Sequence, residues 1–313
     1  MTIRETLAEG KKLLEPPSPL SFIDTPALDA ALLLGKVMRK SRAELITHED
    51  AAVNETQREE FLNLITRRRN GECVAYILGR REFRGLEFAV NPQVLVPRPD
   101  TEILVEAALE YIDTNLPRRG AEAQREEERG EKIFTLLDLC TGSGAVAISL
   151  KNECPFLHVT ASDISPEALE TAALNASRLL DNGLNAVHFI QSDLFENISS
   201  GDGRLLQTAA GSGKFDLIVS NPPYVPTGEL SGLAPEVRRE PQLALDGGGD
   251  GLDLIRKIVS QAPRYLLPGG VLLLEAGSEQ MPAIRDLLAT NGFGDVRIYK
   301  DLAGRERVIG AER

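Results

Sequence analysis

Phe134-Thr135-Leu136-Leu137-Asp138-Leu139-Cys140-Thr141-Gly142-Ser143-Gly144-Ala145 is the stretch on which the fold turns. An apolar run ends in a glycine turn and is followed by AVAISLKN, which reads as strand, tight turn and helix. Glycine at 142 and 144 lets the backbone pass close to a ligand without a Cβ clash. Alone, such a turn could hold a dinucleotide or a nucleoside, or simply join a strand to a helix.

Downstream the alternation continues. HVTASD (158–163), VHFIQSD (187–193), FDLIVSN (215–221) and GVLLLEAG (270–277) read as further strands, each closing on a polar or small residue. Strand, turn, helix and strand in succession predict an α/β fold with a parallel sheet covered by helices. Ligands bind such sheets at the carboxyl ends of the strands, so those terminal residues are the candidates for chemistry. Leu116 to Lys132, densely charged, and Ser199 to Lys214, rich in Gly and Ser, read as inserted surface loops.

Upstream the period is different. Ala27, Leu28, Ala31, Leu32 and Leu34, then Phe61, Leu62 and Ile65, recur at helical spacing. Thr25 before Pro26, and Asn54 opening an acidic first turn, read as helix starts. Val74 to Val96 is rich in β-branched and aromatic residues and broken by Gly79 and Gly85, which predicts a β-hairpin linker. The expected organisation is a helical domain over 1–72, a hairpin linker over 73–96 and an α/β domain over 97–313.

Composition narrows the function. A formal net charge of -12 over 313 residues repels a phosphate backbone, so direct nucleic-acid binding is not expected. Three cysteines without a CxxC pair suit neither a zinc cluster nor a disulfide scaffold, and no metal is expected. No apolar run approaches the roughly 20 residues of a membrane span, and the N-terminus lacks the apolar core of a secretion signal. A cytoplasmic protein, expected to be a monomer, follows.

Three strand ends point to one cofactor class. Asp163 closes the strand after the glycine turn, roughly 20 residues on, where a carboxylate accepts from both ribose hydroxyls; its alternative role is to cap the helix near Ser165-Pro166. Asp193 and Leu194 close the third strand, suited to the edge and face of an adenine, or forming a plain turn. No Gly-Lys-Ser/Thr phosphate loop is present. A nucleoside without phosphates fits best, favouring S-adenosylmethionine, with S-adenosylhomocysteine as product.

Asn221-Pro222-Pro223-Tyr224 follows the FDLIVSN strand into the same crevice. The Asn221 side-chain carbonyl and the Pro222 backbone carbonyl, stiffened by consecutive prolines, can together accept from an NH2 group. Tyr224 can lie against a planar acceptor and align its nitrogen for in-line methyl transfer. The alternative is a proline-rich turn ending a strand. His48, His158 and His188 read as structural.

These residues resemble the HemK/PrmC family, the peptide-chain release factor glutamine methyltransferases. The likeness includes VAYILG (74–79), REF (81–83), Gly85-Leu86, VPRPDTE (96–102), the glycine turn, Asp163-Ile164-Ser165-Pro166 and NPPY. It continues through Glu240-Pro241, Ala244 to Gly248, Leu274-Glu275, Gly277 and Lys300-Asp301-Leu302, so it spans nearly the whole chain. It implies a Rossmann-like class I methyltransferase sheet, with a helical N-terminal domain that helps recognise class 1 release factors. The target it implies is the glutamine of their Gly-Gly-Gln loop. On that resemblance Cys140, Thr141, Gly142, Ser143 and Gly144 hold the methionine portion of the cofactor, Asp163 its ribose, and Asp193 and Leu194 its adenine. Asn221 touches cofactor and substrate, Pro222, Pro223 and Tyr224 complete the glutamine pocket, and Arg98 either closes over the site or forms a structural ion pair. Adenine N6 poses the same NH2-on-a-plane problem, so a nucleic-acid amino methyltransferase is the alternative activity. The chain departs from the family pattern at Cys140, where the first glycine is usual, at Cys73 for proline, at Ala276 for isoleucine and at Arg239 for an aromatic residue.

Overall fold

The computed structural model describes residues 1–15, 23–115, 134–180, 187–198 and 214–313. The two inserted stretches read from the sequence, apart from Lys214, lie outside the described residues. The chain divides into two compact units, residues 1–80 with 231–240, and residues 81–230 with 241–313.

The first unit is helical. Helices α1 (Ile3–Leu14), α2 (Pro26–Met38), α3 (Arg42–Thr47), α4 (Glu55–Arg69) and α5 (Val74–Leu78) enclose a core of Ile3, Leu33, Leu34, Phe61, Ile65 and Ile77. Asn54 caps α4 as expected, in a reciprocal pair with Gln57. Thr25 stands at the N-cap of α2 before Pro26 without a side-chain cap bond; its hydroxyl donates to Asp29 Oδ1, and Asp29 Oδ2 pairs with the buried Arg68 (2.7 Å). Helix α2 is apolar nearly all round, so its sequence does not choose a face. It buries Ala30, Leu33 and Leu34 and leaves Leu28 and Leu32 outward, a correction to the stripe read from the sequence. Arg68 also pairs with Glu236, and Arg239 donates to the Asn70 carbonyl, so the 231–240 segment packs with this unit.

The expected hairpin is narrower than 74–96. Val74–Leu78 is helical, started by Cys73 and stopped by Gly79 at φ +76°, and only β1 (Arg80–Phe83) and β2 (Leu86–Ala89) form the hairpin.

In the second unit, helices α6 (Glu102–Asn115), α7 (Ala145–Glu153), α8 (Pro166–Leu179), α9 (Asp253–Tyr265) and α10 (Met281–Thr290) accompany a seven-stranded sheet. Its strands are β3 (Thr135–Leu139), β4 (His158–Asp163), β5 (His188–Gln191), β6 (Phe215–Ser220), β7 (Leu266–Glu275), β8 (Gly294–Lys300) and β9 (Glu306–Glu312), in the order β5-β4-β3-β6-β7-β9-β8. The first five run parallel, and β9 is antiparallel to both neighbours. The central strands are buried on both faces, which is why they read as continuous apolar runs. Leu136, Leu217 and Leu273 face one core, and Leu137, Ile218 and Leu272 face the other. No described helix is long and apolar enough to cross a membrane.

Candidate active site at the strand ends

Four parallel strands end at one cavity of about 510 Å3 within the second unit. After β3 come Cys140 and Gly142; β4 supplies Ser162, Asp163 and Ile164, β5 is followed by Ser192, Asp193 and Leu194, and β6 by Asn221 and Pro223. Leu139 pairs with Ser220 across the β3–β6 seam, so Cys140 and Asn221 emerge side by side where the strand order reverses. Gln93, Val94 and Leu95 form one wall, and Pro241 to Ala244 with Asp246 form another.

The glycine turn is held from behind. Asp138, buried at the end of β3, accepts from the Thr141 hydroxyl (2.6 Å) and the Ala147 amide (3.2 Å). Its burial pushes the carboxyl up to about 7. Thr141, Ser143 and Gly144 therefore shape the turn without lining the cavity. The Ser143 carbonyl accepts from Asn175, and Gly144 lies at φ +81° where a Cβ would stand 2.7 Å from Ile148.

Asp163 is engaged on both oxygens, by the Gly142 amide (2.9 Å) and the Ser165 amide (3.0 Å), while Ser165 itself caps α8. It thus links the turn to the next helix while lining the cavity, and burial raises its pKa. Cys140 and Leu194 adopt φ of 60° and 48°, left-handed values uncommon outside glycine. Burial pushes the Cys140 thiol up.

At the acceptor end, Asn221 Nδ2 donates to Thr101 Oγ1 (3.1 Å). Among the described residues no group donates to Asn221 Oδ1 or to the Pro222 carbonyl. Pro222 is buried, Tyr224 is half-buried, and neither lines the cavity. The Tyr224 hydroxyl reaches Glu275 Oε1 (3.4 Å), and burial pushes the phenol pKa up.

A glycine-rich clasp holds the NPPY loop. The Val225 amide donates to the Leu245 carbonyl, Gly247 donates back to Val225, and Thr227 donates to Gly248 (2.8–2.9 Å). A Cβ on Gly247 would stand 2.8 Å from the Pro223 carbonyl oxygen, and one on Gly251 2.2 Å from that of Tyr224. Gln280 Nε2 completes the grip on the Tyr224 carbonyl (2.9 Å). Sequence reasoning gave roles to neither this clasp nor Gln280, although the dense glycines of 247–251 were a signal of close backbone approach. Arg98 stands half-buried just before the 3-10 turn Pro99–Thr101. None of the three histidines lines the cavity.

Comparison with known proteins agrees along the chain. A family model described as the PrmC N-terminal domain matches residues 5–79, and one described as the methyltransferase small domain matches 127–250. The chain is 38% identical over 315 residues to a release factor glutamine methyltransferase of Moorella thermoacetica, covering 100% of this chain and 99% of the relative. It is 42% identical over 290 residues to one of Neisseria gonorrhoeae, covering 92% and 94%. Among solved structures, the hMettl16 catalytic domain in complex with a 3'UTR hairpin shares the fold at a TM-score of 0.50 and 12% identity, covering 80% of this chain and 81% of that one.

Proposed function

The chain belongs to the release factor glutamine methyltransferase family, and from that premise we propose that Asn221 and Pro222 grip the side-chain amide of a release factor's glutamine while a methyl group is transferred to it. The observation that carries this reading is the state of Asn221. Its NH2 is turned away to Thr101, while its carbonyl oxygen and that of Pro222 have no described donor. Two fixed acceptors suit the two N–H groups of a carboxamide.

The cavity suits the methyl donor of this family. Asp163, Glu167, Asp193 and Asp246 line it, with no lysine, arginine or histidine among the described residues. Such a lining favours a cation and disfavours a phosphate. S-adenosylmethionine supplies a positively charged sulfonium whose methyl is electrophilic. Cys140 and Gly142 would border its methionine portion, with Thr141, Ser143 and Gly144 holding the turn in shape. Asp163 would take the ribose, and Asp193 with Leu194 the adenine.

An amide nitrogen is a poor nucleophile because its lone pair is delocalised, so the chain's work is orientation. Asn221 Oδ1 and the Pro222 carbonyl polarise the N–H groups and fix the amide plane. Pro223 and the clasped backbone of Tyr224 hold that plane in place. Holding reactants in line can remove several kcal/mol of barrier; as the nitrogen gains the methyl it loses one proton to solvent, and S-adenosylhomocysteine is the other product. The substrate is the glutamine of the Gly-Gly-Gln loop of class 1 release factors, recognised with help from the helical domain. The enzyme works as a cytoplasmic monomer, and its charge of -12 disfavours direct nucleic-acid binding.

Asn221→Ala tests this. Turnover on a release factor should fall about a hundredfold or more, while calorimetric binding of S-adenosylmethionine largely persists. Normal methylation by that variant would refute the mechanism.

A further inference from the structure

The run Ala276-Gly277-Ser278-Glu279-Gln280, which continues the chain past the end of β7, has no part in the acceptor chemistry described so far. It passes through one 3-10 turn, Ser278–Gln280, and brings the half-buried Gln280 side chain against the backbone of NPPY. Gln280 Oε1 accepts from the Gly277 amide (2.9 Å), and its Nε2 donates to the Tyr224 carbonyl (2.9 Å) and to the Asp250 carbonyl (3.3 Å). Among the described residues no other group donates to either carbonyl. One side-chain amide thus joins three segments: the chain leaving β7, the glycine run 247–251 and the acceptor loop.

We propose that Gln280 is a positioning residue for methyl transfer, which fixes the Tyr224 peptide plane and thereby sets the direction in which the Pro222 carbonyl meets the substrate's amide. The proposal rests on the reading of Asn221 and Pro222 as the amide grip. The orientation of Gln280 follows from its partners. A backbone N–H only donates and a backbone carbonyl only accepts, so the edge beside Gly277 is the side-chain carbonyl and the edge beside Tyr224 and Asp250 is the NH2. Both NH2 protons are then engaged by carbonyls, and turning the amide over would set like groups against each other on both edges.

The consequence for Pro222 is one of chain closure. Asn221 leaves β6 directly after Ser220, whose hydroxyl donates to the Leu139 carbonyl (2.8 Å), so the near end of the loop is anchored. Proline rings lock φ at 222 and 223, which leaves the ψ angles as the soft torsions before Tyr224. A free far end would let those torsions swing the Pro222 carbonyl away from its partner. Instead one peptide plane is held on both sides: Gln280 donates to the Tyr224 carbonyl, and the Val225 amide donates to the Leu245 carbonyl (2.9 Å). Without the Gln280 donor that plane is gripped from one side only. The chemistry is sensitive to such slack, since a misplacement of about 1 Å can cost on the order of a hundredfold in rate.

The test uses the full-length enzyme with a class 1 release factor and S-adenosylmethionine. Gln280→Met keeps the length of the side chain and removes its donor, whereas Gln280→Glu keeps an acceptor for Gly277 and sets an oxygen that cannot donate against two carbonyls. Gln280→Met should lower kcat about tenfold and Gln280→Glu should lower it further, with the Kd for S-adenosylmethionine and the KM for the factor within about twofold of the parent. Hydrogen exchange reads the loop itself. The Val225 and Thr227 amides, which donate to Leu245 and Gly248, should exchange faster in Gln280→Met, while the amides of the central strands keep their protection. Thermal melts separate a folding loss, and Gln280→Met remains decisive if Gln280→Glu melts early. Full kcat in Gln280→Met would overturn the assignment, as would a loss carried by KM or by cofactor affinity, or a lowered kcat with Val225 and Thr227 as protected as in the parent. If Asn221→Ala is itself fully active, the amide-grip reading has failed, which is a different result from failure of the Gln280 anchor.

Discussion

Cys140 occupies the first position of the glycine turn at φ 60°, where a side chain other than hydrogen costs about 1–2 kcal/mol. Glycine would relieve that strain but lose about 0.5–1 kcal/mol to backbone freedom. Cys140→Gly should therefore melt within a few degrees of the parent and bind S-adenosylmethionine comparably. Cys140→Val, β-branched at the same φ, should melt clearly lower; differential scanning calorimetry of the two variants checks the pair.

Among elements, the clasp on NPPY makes the sharpest demand. Gly251 lies at φ +77° with a Cβ position 2.2 Å from the Tyr224 carbonyl oxygen. Gly251→Ala should cost about 2–4 kcal/mol in urea unfolding and reduce kcat by displacing that carbonyl. Gly228→Ala, with open space around it, should change neither. The central strands were legible because burial on both faces makes them uninterrupted apolar runs, and their polar last residues pointed to the cavity. Strands β8 and β9 were not read, because DVRIYK and ERVIGAE carry charges among their apolar residues and find partners only in the folded sheet, β9 on β7 and β8 on β9. The VAYIL run was read as strand from its residue types, but a cap at Cys73 and a left-handed Gly79 close it into one helical turn. Thr101 was visible as a letter of the VPRPDTE run. Its contact with Asn221 is a product of topology, since 120 positions separate them along the chain.

At the scale of the molecule, the buried carboxyls set the response to pH. Asp138 and Glu275 are both raised to about 7, chiefly by burial, from ordinary values of 3.8 and 4.5. A raised carboxyl binds its proton more tightly when folded, so its stabilising contribution is present at low pH and is lost as pH rises toward 7. Each group withdraws on the order of 3–4 kcal/mol at most over that window. Asp246, Asp250 and Asp301 act the other way, since hydrogen bonds hold them low and their contribution fades only under stronger acid. The melting temperature should thus rise from pH 8 to about pH 5.5 and fall again at lower pH, as scanning calorimetry across that range would record. The N-terminal helices and the mostly parallel sheet were both foreseen. The return of 231–240 to the helical unit was not, because that packing depends on Glu236 and Arg239 meeting Arg68 and Asn70, residues far upstream. The central claim is that a release factor's glutamine receives the methyl group. Mass spectrometry of a class 1 release factor incubated with this enzyme and S-adenosylmethionine should find one added methyl, on the glutamine of the Gly-Gly-Gln loop, and none with Asn221→Ala. A factor that stays unmodified with the parent enzyme, or a methyl on another residue, would contradict it.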